Sequence, residues 1–319
     1  MKIVRNWTSV DPALRGASVA LGNFDGVHLG HRSVVELARR ADVPLGIVTF
    51  EPHPREYFNP AAPPFRLMSA ETRANRLRRL GVDLLCELPF DAALAGFSAE
   101  EFAREVLCDG LGVSHVVVGA DFCFGKGRQG TAQMLADFGA ELGFAVTLAP
   151  LLGVPGGALS STAIRTALGE GRPGDAARML GHWHRIDGPV LHGEKRGRDL
   201  GYPTANMSIE GLHPPRFGVY AVKVDVLSGP HKGSYDGAAS LGVRPMFGEN
   251  RPNLETYLLD FSGDIYGAHL SVALVEFLRG EEKFTTLDAL VVQMAADCAR
   301  ARAILADVAR IAPDLTGQG

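Results

Sequence analysis

Cysteine is scarce in this chain. Cys86, Cys108, Cys123 and Cys298 are its four cysteines, and no two have Cys-x-x-Cys spacing. A zinc site or disulfide framework is not expected, and a reduced, cytoplasmic setting fits. An excess of either charge is also missing. Lys plus Arg number 32 against 36 Asp plus Glu, a formal net charge of −4. No basic field is present for nucleic acid or a membrane surface, so any anionic ligand has to be held by local features. The apolar run over residues 148–159 is broken by Pro150, Gly153, Pro155, Gly156 and Gly157, which excludes a membrane span there. Residues 1–15 lack the apolar core and cleavage pattern of a signal peptide. A Gly-x-x-x-x-Gly-Lys-(Ser/Thr) string is absent, which excludes a P-loop kinase. What remains is 319 residues with 46% hydrophobic and 21% charged content. That is enough for a buried core and for two domains.

The pattern along the chain changes once. Strand candidates at 19–22, 45–50, 84–88, 115–118 and 145–149 alternate with helical patterns at 32–40, 70–80, 99–110 and 131–142. Ser98 with Glu101 has capping-box spacing. This alternation predicts a doubly wound parallel sheet covered on both faces, with ligands beyond the carboxyl ends of its strands. After His182 come short alternating strands at 188–192, 219–226, 237–242, 254–261 and 270–277, separated by turn residues. They predict an antiparallel barrel or sandwich. A terminal helix carries the stripe Leu287, Leu290, Val291, Met294, Cys298, Ala301, Leu305 and Val308, with Thr285 as its start signal. The domain boundary is placed near 181–186, giving domains 1–181 and 182–319.

The most informative stretch is Gly22-Asn23-Phe24-Asp25-Gly26-Val27-His28-Leu29-Gly30-His31. A buried strand, a glycine-rich turn and a helix start make a phosphate-binding layout, with backbone N–H groups open to an anion. His28 and His31, three apart, can face the same anion. This segment resembles the His-x-Gly-His motif of the nucleotidylyltransferase superfamily, whose histidines stabilise charge on the α-phosphate of ATP. Three further segments go with it. Gly119–Arg128 combines aromatics, glycines and two cations after a strand. Ser160-Ser161-Thr162-Ala163-Ile164-Arg165 opens a helix, either as simple caps or as phosphate ligands. Glu51-Pro52-His53-Pro54 ends a strand, either lining the cleft or only closing a loop.

The second long motif is Gly193-Glu194-Lys195-Arg196-Gly197-Arg198-Asp199-Leu200-Gly201-Tyr202-Pro203-Thr204-Ala205-Asn206. Its three glycines and three cations suit a phosphate loop or a charged hairpin alike. Thr204 and Asn206 are hard oxygen donors for magnesium. Glu255 heads a strand face shared with Tyr257, Leu259 and Phe261, directed at the expected interior. From the residues alone it is either a functional carboxylate leading an apolar face or, more simply, a rim glutamate.

The order of these motifs over essentially the whole chain resembles the bifunctional riboflavin kinase/FAD synthetase family. The resemblance implies a nucleotidylyltransferase domain that joins FMN to the AMP part of ATP, followed by a barrel that phosphorylates riboflavin. By carry-over, His28 and His31 stabilise the transferring group. Gly22, Phe24, Asp25, Gly26, Ser161, Thr162 and Arg165 hold nucleotide. Asp121, Phe122 and Phe124 serve the flavin. In the barrel, Gly193, Lys195, Gly197 and Arg198 hold nucleotide, Thr204 and Asn206 hold Mg2+, Arg244 serves the flavin, and Glu255 is the catalytic base. Asp260–Gly267 and Phe277-Leu278-Arg279 also match. Ser240, Val243 and Met246 stand where the family usually has Asn, Thr and Thr, which touches on flavin affinity. The implied partners are riboflavin, FMN and ATP, with neither nucleic acid nor membrane, and a homo-oligomer is compatible. Two alternatives stay open: a barrel that binds flavin without chemistry, and an N-terminal domain whose acceptor is not FMN.

Overall fold

The computed structural model describes residues 1–8, 10–150, 153–154, 157–192, 201–246 and 249–311. The packing divides into two compact units. One comprises residues 1–62 and 73–159, the other residues 63–72 and 160–319.

The first unit is built on six parallel strands: β1 (Lys2–Val4), β2 (Ser18–Leu21), β3 (Leu45–Glu51), β4 (Leu84–Pro89), β5 (His115–Gly119) and β6 (Ala145–Ala149), in the order β1-β4-β3-β2-β5-β6. All of β2 and nearly all of β3 are buried. Strands buried on both faces read as continuous apolar runs, which is why they were visible in the sequence. One face packs Val19, Val48, Cys86, Val116 and Val118 against Phe102, Val106, Leu135 and Phe144. The chain proceeds from β2 to β3 and β4 on one side, then returns to β5 on the other. The strand order therefore reverses between β2 and β5, the place where parallel sheets bind ligands. The edge strand β1 is too short to have shown in the sequence. The helical pattern at 99–110 proves to be one α-turn, Ala99–Glu101, running into a π-helix, Phe102–Leu111. Its capping box forms as expected: Glu101 N–H donates to Ser98 Oγ at 3.2 Å and Ser98 N–H to the Glu101 carboxylate at 2.7 Å.

The second unit holds six antiparallel strands: β7 (His184–Pro189), β8 (Thr204–Ser208), β9 (Gly218–Val226), β10 (Gly233–Met246), β11 (Glu249–Leu258) and β12 (His269–Arg279), in the order β7-β12-β9-β10-β11-β8. The sheet curls into a half-barrel. Past the end of β7, Leu191 bridges to Asn206 on β8, its N–H donating to the Asn206 carbonyl at 2.8 Å. The interior is apolar: Ala205, Met207, Tyr220, Val222, Val224, Leu241, Leu254, Leu258, Val272 and Leu274 pack together. Helix α4 (Leu287–Ile311) covers part of the outside, where Ala301 and Leu305 meet Ala221, Ala238, Ala273 and Val275. Its cap is Thr286, which accepts from Ala289 N–H at 3.2 Å, one residue later than the expected Thr285.

This unit also owns residues expected in the first domain. Helices α2 (Ser161–Gly169) and α3 (Pro173–Leu180) share a core of Ile164, Ala167, Leu168, Ala176 and Leu180 with Leu67, from the excursion at 63–72. Arg66 bridges to Leu212. Packing thus divides the chain at 159/160, whereas the sequence pattern changes near 181–186. Periodicity reports where strand type changes, not which sheet a connecting helix covers.

Candidate functional site

In the parallel unit, the turn after β2 is a strained one. Phe24, Gly26 and Val27 have φ values of 51°, 90° and 42°. Only Gly26 adopts such a conformation without cost, and Val27 is β-branched and fully buried. Strain of this kind persists where the surroundings hold it, and it clusters at functional sites. The turn delivers His28 to the N-cap of α1 (Leu29–Ala38). His28 Nδ1 accepts from His31 N–H at 3.2 Å. A backbone N–H can only donate, so Nδ1 is an acceptor and the ring proton of His28 sits on Nε2. The two imidazoles stack with centroids 3.7 Å apart and planes 14° apart, and Phe24 backs His31 at 5.1 Å. A Cβ on Gly30 would approach the His28 ring at 3.1 Å, which explains the glycine between the histidines. His31 Nδ1 is buried without a hydrogen-bond partner. Burial, then the neighbouring His28, hold the His31 pKa well below the ordinary imidazole value. The pair is a close-stacked imidazole set at a helix start, open to an arriving anion.

The turn after β5 lies on the same edge of the sheet. Asp121 is exposed and Phe122 is half-buried, but Phe124 is a core residue, 7% exposed and in ring contact with Phe102 and Phe122. Its ring belongs to the scaffold that holds the loop. After β3, His53 caps the helix Pro54–Phe58 in a full capping box with Glu56, so this segment does close a loop. It also displays what the sequence reading missed. Tyr57, Phe58 and Phe90 form an edge-to-face aromatic cluster at the carboxyl ends of β3 and β4, with Phe58 67% exposed. The available signal was the Tyr57-Phe58 pair four residues beyond His53.

In the second unit, α2 is capped by Ser160, whose Oγ accepts from Ala163 N–H at 3.2 Å. The capping role therefore does not fall to Ser161 or Thr162. Arg165 donates through Nε to the Phe65 carbonyl and lies over the Phe65 ring at 5.2 Å.

The barrel site is set by register. On β8 the interior residues are Ala205 and Met207, so Thr204 and Asn206 face outward. On β11 the interior residues are Leu254 and Leu258, so Asn253, Glu255 and Tyr257 face outward as well. Glu255 was expected to point inward. The correction has a simple cause: both faces of β11 carry apolar residues, and only the strand's partners reveal which face is enclosed. Asn206 lies directly opposite Glu255, and Thr204 opposite Tyr257. Ser240 on β10 flanks Glu255 from the other side. Side chains directly opposite on one face have Cβ atoms about 5 Å apart, so an amide oxygen, a hydroxyl and a carboxylate converge. Gly193, Lys195, Gly197 and Arg198 lie outside the described residues, and of Arg244 only the backbone position on β10 is described.

Comparison with known proteins is decisive. Residues 10–163 match the FAD synthetase family and residues 180–305 the riboflavin kinase family. A bifunctional riboflavin kinase/FMN adenylyltransferase from Pseudomonas fluorescens is 42% identical over 311 residues, covering 96% of this chain and 98% of that protein. The chain belongs to this bifunctional family. Its Escherichia coli K12 member is 37% identical over 307 residues, covering 95% of this chain and 97% of that protein. A crystal structure described as a macrolide-efflux protein from Streptococcus pneumoniae superposes with a TM-score of 0.79 at 30% identity, covering 97% of this chain and 98% of that one. Among the described residues no helix is long and apolar enough to cross a membrane.

Proposed function

We propose that the two activities of this bifunctional riboflavin kinase and FMN adenylyltransferase divide between the two units. The protein makes FMN from riboflavin and FAD from FMN, with ATP as the second substrate of both reactions. The barrel unit carries the kinase step. The terminal ribityl hydroxyl attacks the γ-phosphorus of ATP, its proton passes to Glu255, and ADP leaves. The parallel unit carries the adenylyl transfer. An FMN phosphate oxygen attacks the α-phosphorus, and pyrophosphate leaves. FMN is already ionised, so no base is needed, and His28 Nε2–H with His31 stabilises the charge that builds on the α-phosphate.

The observation that carries this reading is the barrel register, which sets Asn206 beside Glu255 on a solvent-side face. Thr204 and Asn206 are oxygen donors that fit Mg2+, an ion that takes few protein ligands and keeps phosphate and water oxygens. When bound, Mg2+ neutralises phosphate charge. Gly22, Phe24, Asp25 and Gly26 serve the nucleotide of the adenylyl transfer. Phe58 and Phe122 offer aromatic surface to the flavin, beside Asp121. The reactions run in the cytoplasm.

Incubating the protein with riboflavin, ATP and Mg2+ and chromatographing the products tests the whole reading. FMN and FAD together are expected. FAD formed only from added FMN would make the barrel a binding module, and no flavin product would assign the adenylyl group to another acceptor.

A further inference from the structure

Asn253 has no role in either reaction as described, yet it touches the kinase site. It lies on β11 two residues before Glu255, on the same outward face, and is 2% exposed. Its Nδ2 donates to Asn206 Oδ1 at 3.2 Å. Its own Oδ1 is buried with no hydrogen-bond partner. Ser208 stands directly opposite Asn253, and Asn206 opposite Glu255. The two asparagines are therefore diagonal neighbours across the β8–β11 pair, joined through their side chains.

Leaving a buried amide oxygen unpaired is unfavourable, and an apolar residue of similar shape would avoid it. The half of Asn253 that is paired acts on one atom, the oxygen by which Asn206 is read as a cation ligand. A terminal carboxamide torsion is broad and nearly two-fold. Without a partner, Asn206 would present its N–H2 group as readily as its oxygen, and a cation repels N–H2. A carboxamide oxygen has two lone pairs, so it can accept from Asn253 and still bind a cation.

We infer that Asn253 is a positioning residue of the kinase site, whose N–H2 group fixes the rotation of the Asn206 carboxamide and so holds its oxygen in place for the metal. The inference rests on the reading of Asn206 as a metal ligand. Partners of this kind typically govern metal affinity by 10- to 100-fold.

The test uses the full chain with Mn2+ as probe and ADP present, counting bound ions from the free-Mn2+ electron paramagnetic resonance signal. Asn206→Ala should remove the barrel's site. Asn253→Leu should weaken that site about tenfold, leave the rest of the binding curve alone, and shift the Mg2+ midpoint of FMN formation by the same factor at an unchanged riboflavin KM. Asn253→Ser, which keeps a donor, should recover part of the loss. FAD synthesis from supplied FMN reports that the chain is intact. If Asn253→Leu does not fold, Asn253→Ala takes its place with the same expected loss. Wild-type Mn2+ binding in the Asn253 variants, with the site lost in Asn206→Ala, overturns the inference and makes Asn253 a packing residue. Unchanged binding in Asn206→Ala overturns it differently, by removing the metal-ligand reading beneath it.

Discussion

The two units place their chemistry in opposite ways. In the parallel unit the central strands β2 to β5 are covered on both faces, and the proposed functional groups sit on turns past the strand ends. His28 gets its position from a strained turn and a helix cap. In the half-barrel the interior is filled with apolar side chains, and the functional groups sit on the strands themselves, along one outward stripe of β8, β10 and β11. A turn site is positioned by local backbone conformation. A stripe site is positioned by register, which is a long-range property.

The largest expected effects test whether the sites are independent. Glu255→Gln keeps size and hydrogen bonding but removes the base. FMN formation should fall by about 10²–10⁴-fold, while FAD synthesis from supplied FMN is spared. His28→Ala should do the reverse, lowering turnover for FAD by about 10²–10³-fold with a smaller change in ATP affinity. Product chromatography with each flavin checks both. Loss of both activities in either variant would break the comparison and give that residue a structural role.

The contrast also explains what the sequence showed. The first site was legible because a turn motif is contiguous: glycines, Asp25 and two histidines lie within ten residues. Its central strands β2 to β5 were legible because they are buried on both faces. The barrel motif at 203–206 was legible as chemistry but not as a strand, because β8 is five residues long and follows a glycine-rich stretch of sequence. Glu255 was singled out in the sequence, but its direction was not legible there. The odd and even residues of β11 are both partly apolar, and the pairing that decides between them comes from strands more than forty residues away in the case of β8. Asn253 was not singled out for the same reason, although Asn253-x-Glu255 puts two polar residues at period-two spacing. Phe124 was misjudged because an aromatic in a glycine-rich loop looks exposed until the loop folds back onto the core.

A further prediction concerns what holds the terminal helix on the half-barrel. Arg279 at the end of β12 makes a bidentate pair with Asp297 on α4, through Nε at 3.0 Å and an η nitrogen at 2.8 Å. Asp297 is buried and Arg279 largely so. Removing Asp297 leaves the largely buried Arg279 with only the exposed Glu282 at 4.0 Å, a loss of about 3 kcal/mol. Asp297→Ala should therefore lower the unfolding midpoint of the barrel unit while the parallel unit keeps its own. Denaturant unfolding followed by the two activities separates them. A shared shift would mean the two units unfold as one.

Both units respond to acid in the same direction. His115 starts β5, with Ser18 Oγ at 2.8 Å and Thr147 Oγ1 at 2.9 Å on its two ring nitrogens. Burial, then the charge of Arg40, pushes its pKa down to about 4. In the barrel unit burial, then His213, pushes His184 down to about 4. In the unfolded chain each titrates near 6.5. Between those values the unfolded state holds the extra proton, so stability falls as pH drops from about 6.5 toward about 4, at up to about 1.4 kcal/mol per pH unit for each group. Urea unfolding at pH 7 and pH 5 should show both transitions weakened at pH 5. His184→Gln should flatten the response of the barrel alone. No change between these pH values would mean that the native state accepts the protons.

The smallest effect tests the inner face of the barrel against the outer one. Thr256 lies between Leu254 and Leu258 on the interior side of β11, fully buried, and its Oγ1 has no hydrogen-bond partner. Valine has the same branched shape without the hydroxyl, so Thr256→Val removes an unpaired polar atom and opens no cavity. The barrel should gain about 1 kcal/mol, read as a higher urea midpoint at an unchanged slope. Thr256 is bonded to Glu255 along the chain yet points through the opposite side of the sheet. Kinase turnover and the riboflavin KM should therefore stay at wild-type values. A fall in turnover with stability raised would show that the enclosed face takes part in the reaction, and would undo the assignment of the chemistry to the outward stripe.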